Sequence, residues 1–385
     1  MNNSDEPVDY EVQEVYQLTP IIKVLCICFY NVLCVSSVYG NSLVIMIILY
    51  FRRLRTATNI LILNLAIADL LIAVFCIPFS YWQVLIFDDQ RWIFGSAMCS
   101  LLSFLQGIAV FLSSWTLVVI SFDRWMAIMF VLSPSMRLTR KRAIYLVFAT
   151  WAFSMCMALP LFLVSKIQRT GDIERCDEDW SAVEAFVPGS RRLYSYLVLI
   201  LQYVVPLTVL IITYTFIGMK MWNSRIPGPS SSNKKVVMER HESVKKLIPM
   251  VILISAMFAF CWLPLLLLIN VIVDLWPSVA SWKYILYLWW FSHGLAMMHS
   301  MVNPIVYFLR NARFREGFCY FSRFLPCVHF QEFKLLSEQA KNTRSRSGTI
   351  NPGSMNSRCT PSEYGSYTRF INQTRPLMVR QTTII

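Results

Sequence analysis

Residues 98–129 read MCSLLSFLQGIAVFLSSWTLVVISFDRWMAIM, and the only charges in that stretch are Asp123 and Arg124 near its end. About 20 apolar residues suffice to cross ~30 Å of hydrocarbon. The stretch can therefore span a bilayer with its charged pair at one face. A later stretch, 284–309, closes on Asn303-Pro304-Ile305-Val306-Tyr307. Charges and helix-breaking residues inside a membrane are costly and survive where a mechanism uses them. The two features together predict a membrane protein that works by moving its helices.

Five more apolar stretches, at 24–51, 58–87, 142–165, 193–222 and 247–273, bring the expected spans to seven. The chain is 56% hydrophobic with a mean hydropathy of +0.52, too apolar for a soluble chain of 385 residues. Orientation is read from the connections. Arg52, Arg53 and Arg55 follow the first span, and Arg137, Arg140, Lys141 and Arg142 lie between the third and fourth. Lys220, Arg225, Lys234, Lys235, Arg240, Lys245 and Lys246 lie between the fifth and sixth, and Arg310, Arg313 and Arg315 follow the seventh. The alternate connections carry Asp88, Asp89, Asp172, Glu174, Asp177, Glu178, Asp179, Glu184 and Asp274. By the positive-inside rule the basic set faces the cytoplasm, so the amino terminus is expected outside and the tail inside. The net charge of +13 is then a topology signal and calls for no nucleic acid.

The first 20 residues are acidic and polar, so no cleavable signal is expected and the first span does the targeting. The organisation predicted is an acidic extracellular segment 1–23, a seven-helix bundle 24–310, an amphipathic membrane-surface helix 311–325 and a disordered cytoplasmic tail 326–385. The fold class is thus an all-α membrane protein, a seven-transmembrane bundle with a short eighth helix. Topology leaves two cysteines in an oxidising compartment, Cys99 and Cys176, and a disulfide is expected between them. Asn2 begins a glycosylation sequon on the outer side. Cys319 and Cys327, beside the eighth helix, read equally as palmitoylation sites or as unmodified cysteines.

Markers recur in every span: Gly40-Asn41, Asn64-Leu65-Ala66-Ile67-Ala68-Asp69, Asp123-Arg124-Trp125, Trp151 with Pro160, Pro206 with Tyr214, Phe258 with Cys261-Trp262-Leu263-Pro264, and Asn303-Pro304-Ile305-Val306-Tyr307. In this order the chain resembles the rhodopsin-like G-protein-coupled receptors over about 39–318. The resemblance implies a sodium ion held by Asp69, Ser113 and Asn303, with Asn41 and Ser300 close by. The alternative is a protonated, hydrogen-bonded Asp69 without an ion. It implies that Arg124 rests on Asp123 and turns on activation towards Tyr214, Tyr307 and an inserted G-protein helix. Trp262 and Phe258 then drive a swing about Pro264, with Pro304 acting similarly in the seventh span. Two positions depart from the family: Trp125 stands where Tyr is usual, and Val244 stands where many receptors carry an acid that holds the Arg.

The ligand is constrained partly by what is missing. Gln106, eighteen residues before Arg124, replaces the Asp that amine receptors carry, and Leu295-Ala296-Met297-Met298 offers no lysine for retinal. The acidic outer surface would attract a basic ligand; the alternative reading is a merely solvated acidic loop. Gln106 with His293 resembles the pocket of neuropeptide Y and RFamide-type receptors. This implies an amidated peptide whose aromatic end reaches Gln106, Trp262, His293, Trp289 and Trp290, with its Arg near Glu178, Asp179 or Asp274. His293 reads equally as an ordinary helix-facing histidine.

The expected protein is therefore a plasma-membrane receptor and no enzyme. Its expected partners are an extracellular peptide, a heterotrimeric G protein, lipid, and arrestin and receptor kinases at the tail. A lipid ligand or a transporter are the alternatives. No resident cofactor is expected beyond the sodium ion.

Overall fold

The structure is a computed structural model that describes residues 18–86, 91–130, 136–223 and 232–324, without the side chains at 83, 84, 170, 221, 223, 232–247, 274 and 280. The chain divides into Met1–Glu332 and Phe333–Ile385, and the second unit lies wholly outside the described residues. Asn2, Cys327 and the tail hydroxyls also fall outside, as do the side chains of Asp274, Glu242 and Val244.

Seven long helices run through the described residues. They are α1 (Pro20–Tyr50), α2 (Ala57–Tyr81), α3 (Gly95–Met129), α4 (Arg140–Val164), α5 (Ser190–Lys220), α6 (Ser232–Leu267) and α7 (Ile285–Arg310), followed by a short α8 (Ala312–Phe321). Their starts follow from local chemistry. Pro20 opens α1, where its missing N–H costs nothing, while the hydroxyls of Thr56 and Thr139 and the amide oxygen of Asn311 cap α2, α4 and α8. α1 begins four residues before the predicted 24, and α8 ends at Phe321, before the predicted 325. Wide π-turns lie beside prolines: Ile72–Cys76 precedes Pro78 and Ile200–Val204 precedes Pro206. A proline removes one rung of the hydrogen-bond ladder, and a widened turn accommodates its ring.

Six of the helices are long and apolar enough to cross a membrane. The seventh, α7, has the length but carries Ser292, His293, His299, Ser300, Asn303 and Pro304, which lower its hydropathy. All six of these residues are turned inward and buried. The bundle is inverted relative to a soluble protein. Asn41, Asp69, Ser113, Ser114 and Asn303 are essentially fully buried, while Ile21, Tyr145, Phe148, Ile211 and Phe291 are exposed. Apolar side chains outside and polar ones inside are what hydrocarbon surroundings demand.

α3 is the central helix, packed against α2, α4, α5 and α6, while α7 packs against α1 and α6. Close approach depends on small residues, as expected where lipid supplies no hydrophobic drive between helices. A Cβ at Gly40 would lie 2.8 Å from Pro304 Cβ, and one at Gly107 would lie 2.9 Å from Ala158 Cβ. Gly107→Leu should therefore destabilise the purified protein by roughly 1–3 kcal/mol through overpacking, read as a lowered Tm. An unchanged Tm would show that α3 and α4 can separate without cost.

The sequence reading did not foresee a β-hairpin between α4 and α5. Strand β1 (Ser165–Thr170) pairs antiparallel with β2 (Ile173–Glu178) around Gly171, which sits at φ +61°. Thr170-Gly171-Asp172 between two short strands is the turn signal that could have revealed it. Cys176 on β2 is disulfide-bonded to Cys99 on α3.

Candidate functional site

Polar contacts divide the bundle into four layers, beginning at the hairpin end. There Trp92 N donates to Glu174 O (2.6 Å), Ser100 Oγ to Ser165 O (2.8 Å), and Asp179 N to Val164 O (2.8 Å). Trp92, Cys99 and Leu102 form a buried cluster with Phe75, Phe79, Phe94, Ile167 and Cys176 against it. The hairpin is thereby fixed to the end of α3. The loop acids have local tasks. Glu178 accepts from Trp180 Nε1 at 2.8 Å. The Asp179 carboxylate accepts from the backbone and hydroxyl of Ser181 at the start of a single helical turn, which holds it below the usual carboxylate range. Both acids therefore serve the loop, a role the sequence reading missed.

Below the hairpin lies an aromatic layer. His293 stacks on Trp289 with centroids 4.7 Å apart and planes 8° apart, and its Nδ1 is 2.8 Å from Tyr30 Oη on α1. Gln106 is exposed, and no hydrogen bond joins it to His293. The hydrogen-bond partner of His293 is Tyr30, a residue the sequence reading did not single out. Trp262 is buried with an unpartnered Nε1, 6.2 Å from Phe258 between ring centroids. Phe258 meets the ring of His299 edge-on at 5.3 Å, and both His299 nitrogens are buried without a partner among the described residues. The sequence reading did not single out His299.

Deeper still, Asn303 Nδ2 donates to Asp69 Oδ2 at 2.6 Å. Asp69 Oδ1, Ser113 Oγ and Asn303 Oδ1 are buried without partners among the described residues. A carboxylate with neutral oxygens suits a small hard cation, so the donor set fits the expected ion. The Asn41 amide nitrogen and the Ser300 hydroxyl are otherwise engaged, while Asn41 Oδ1 is also buried without a partner among the described residues. Asn41 Nδ2 donates to Ser300 O at 2.9 Å, and Ser37 Oγ donates to Ser300 Oγ at 3.0 Å, tying α1 to α7. Asn64 links three helices by donating to Thr116 Oγ1 (2.7 Å) while accepting from Trp151 Nε1 (2.9 Å).

At the far end, Arg124 pairs with Asp123 at 2.5 Å and also donates to Thr58 Oγ1. Thr58 in turn donates to Asp123 Oδ2 at 2.9 Å. Tyr214 reaches Ser255 on α6 at 3.2 Å, while Tyr307 has an unpartnered hydroxyl and stacks on Phe314 of α8. Trp125 packs on the cluster of Ile128, Ile217 and Ile248. Arg124 is thus held by its neighbour and by α2, with no hydrogen bond to either tyrosine hydroxyl among the described residues.

The pattern describing the 7 transmembrane receptor (rhodopsin family) matches residues 40–307. The chain is 64% identical to Neuropeptide receptor 22 of Caenorhabditis elegans over 358 residues, covering 91% of this chain and 82% of that protein. It is 36% identical to the RYamide receptor of Tribolium castaneum, covering 78% and 80% of the two chains. To the RYamide receptor of Drosophila melanogaster it is 34% identical, covering 85% and 69%. With its seven helices, its buried Asp69–Asn303 contact and its Asp123–Arg124 pair, the chain belongs to the rhodopsin family of seven-transmembrane receptors.

Proposed function

We propose that this chain is a multi-pass plasma-membrane receptor for an extracellular amidated neuropeptide, ending in a basic residue and an aromatic amide, and that it activates heterotrimeric G proteins. The observation that carries this reading is the similarity to two RYamide receptors and to a neuropeptide receptor across most of the chain. A receptor family also favours this reading over a transporter or a membrane enzyme. The hairpin end faces outward and the Arg124 end faces the cytoplasm, as the loop charges support. Peptide binding at the aromatic layer shifts Trp262 and Phe258, α6 moves about Pro264, and Arg124 leaves Asp123 for the G protein. Cys319, half-buried on α8, is a site for an acyl chain, and the tail is a substrate for receptor kinases and a contact for arrestin.

Asp69, Ser113 and Asn303 would hold a sodium ion, which supplies charge that neutralises the buried carboxylate and favours the resting packing. Raising sodium should then weaken agonist binding in the native chain and leave Asp69→Asn unaffected. Equal sodium sensitivity in the two would remove the ion from this account.

Calcium, cAMP and nucleotide-exchange responses to peptides ending in Arg-Phe-amide or Arg-Tyr-amide test the main reading. The expected result is a response that Gln106→Ala weakens. Silence across the panel despite surface expression would favour a lipid ligand or another peptide class.

A further inference from the structure

The contact between Tyr30 and His293 bears on how the end of the ligand is read. Tyr30 is buried on α1, and its single phenol oxygen lies 2.8 Å from His293 Nδ1 and 3.3 Å from the Trp290 carbonyl oxygen. The phenol has one proton for two neighbours. If it donates to Nδ1, two oxygens face each other at 3.3 Å with no proton between them. If instead Nδ1–H donates to the phenol, the phenol donates to the carbonyl and each contact holds one proton. Buried polar groups settle into the arrangement that satisfies all of them. The flat stack on Trp289 and the edge of Trp290 at 5.9 Å fix the ring so that it cannot turn over to exchange its nitrogens.

We propose that Tyr30 holds His293 in the tautomer protonated on Nδ1, so that Nε2 presents a bare lone pair that accepts an N–H from the ligand's carboxamide end. Nε2 makes no hydrogen bond among the described residues, and His293 as a whole keeps 4% exposure. A terminal –CONH2 offers N–H donors to that lone pair. A carboxylate offers none and sets lone pair against lone pair, and sites built around a hydrogen bond reject analogues that cannot make it. Tyr30 is a positioning residue, acting through His293 without needing to touch the ligand. This inference rests on the peptide-receptor reading for the identity of the ligand, and on the Tyr30–His293–Trp290 geometry alone for the tautomer.

Two arms test it on the full-length receptor. In the first, nitrogen-15 histidine labelling of the ligand-free protein reports which ring nitrogen carries the proton. The chain has four histidines, and His293→Gln identifies the relevant signal. The expected result is protonation at Nδ1 in the native chain and a tautomer mixture in Tyr30→Phe; protonation at Nε2 in the native chain would overturn the proposal, whatever the ligand proves to be. In the second, a peptide ending in Arg-Tyr-amide is compared with its free acid. The native receptor should prefer the amide by about 100-fold, and Tyr30→Phe, expressed equally at the surface, should cut that ratio by about tenfold. Equal potency in the native chain, or an unchanged ratio in Tyr30→Phe, would overturn the amide-reading role. Silence to both peptides would sink the peptide reading, while the labelling arm would still decide the tautomer.

Discussion

Asp123→Asn is expected to raise ligand-independent nucleotide exchange by about 30-fold, with the chain still reaching the cell surface. Both members of the Asp123–Arg124 pair are less than a tenth exposed, and Thr58 closes a triangle by accepting from Arg124 and donating to Asp123. Removing one partner of a buried pair costs roughly 3–5 kcal/mol, because the remaining charge is left uncompensated. In the proposed mechanism the penalty falls on the resting state, because activation would take Arg124 away from Asp123. If Arg124 recovers part of it from Thr58, about 2 kcal/mol remains, which corresponds to roughly 30-fold in the ratio of the two states. No second restraint is at hand in the sequence. Val244 stands where many receptors carry an acid, and Glu242 is two positions out of that register, about 200° by ideal helical periodicity. Thr58→Ala should give a smaller rise in the same direction, whereas Arg124→Ala should abolish coupling. Unchanged basal exchange in a well-expressed Asp123→Asn receptor would show that the resting state is held elsewhere.

What the sequence revealed and what it concealed follow from how locally each feature is encoded. Span length is local, so the stretches at 98–129 and 142–165 anticipated α3 and α4 to within a few residues. The disulfide was legible because topology left two cysteines on one side. α7 was legible through Asn303-Pro304 despite its modest hydropathy, because its polar residues are those a bundle interior can satisfy. Tyr30 with His293 is a contact across 263 positions, and Thr58 with Asp123 one across 65. Neither leaves a periodic or compositional trace, because a tyrosine or threonine on an apolar helix looks the same whether it faces lipid or a partner. Asp179 carried a local signal that the sequence reading passed over: its spacing to Ser181 is that of a local cap.

Cys99→Ser should remove peptide responses altogether and markedly reduce surface expression, and Cys176→Ser and the double variant should match it. The bond joins residues 77 positions apart, for which chain-entropy arguments give about 4 kcal/mol. The true figure is lower, because α3 and α4 restrict the unbonded loop even when it is released. The greater loss is positional. Without the bond, the hairpin is held by Trp92 N to Glu174 O, Ser100 Oγ to Ser165 O and the small cluster around Trp92, each at the mouth of the bundle where water competes. Once the hairpin moves, the entrance to His293 and Trp262 is no longer defined. Both cysteines act through one bond, so the losses should not add. A double variant worse than either single one would show a separate task for one of the thiols. Single variants that keep native peptide potency would show that the hairpin is held by its hydrogen bonds and packing alone.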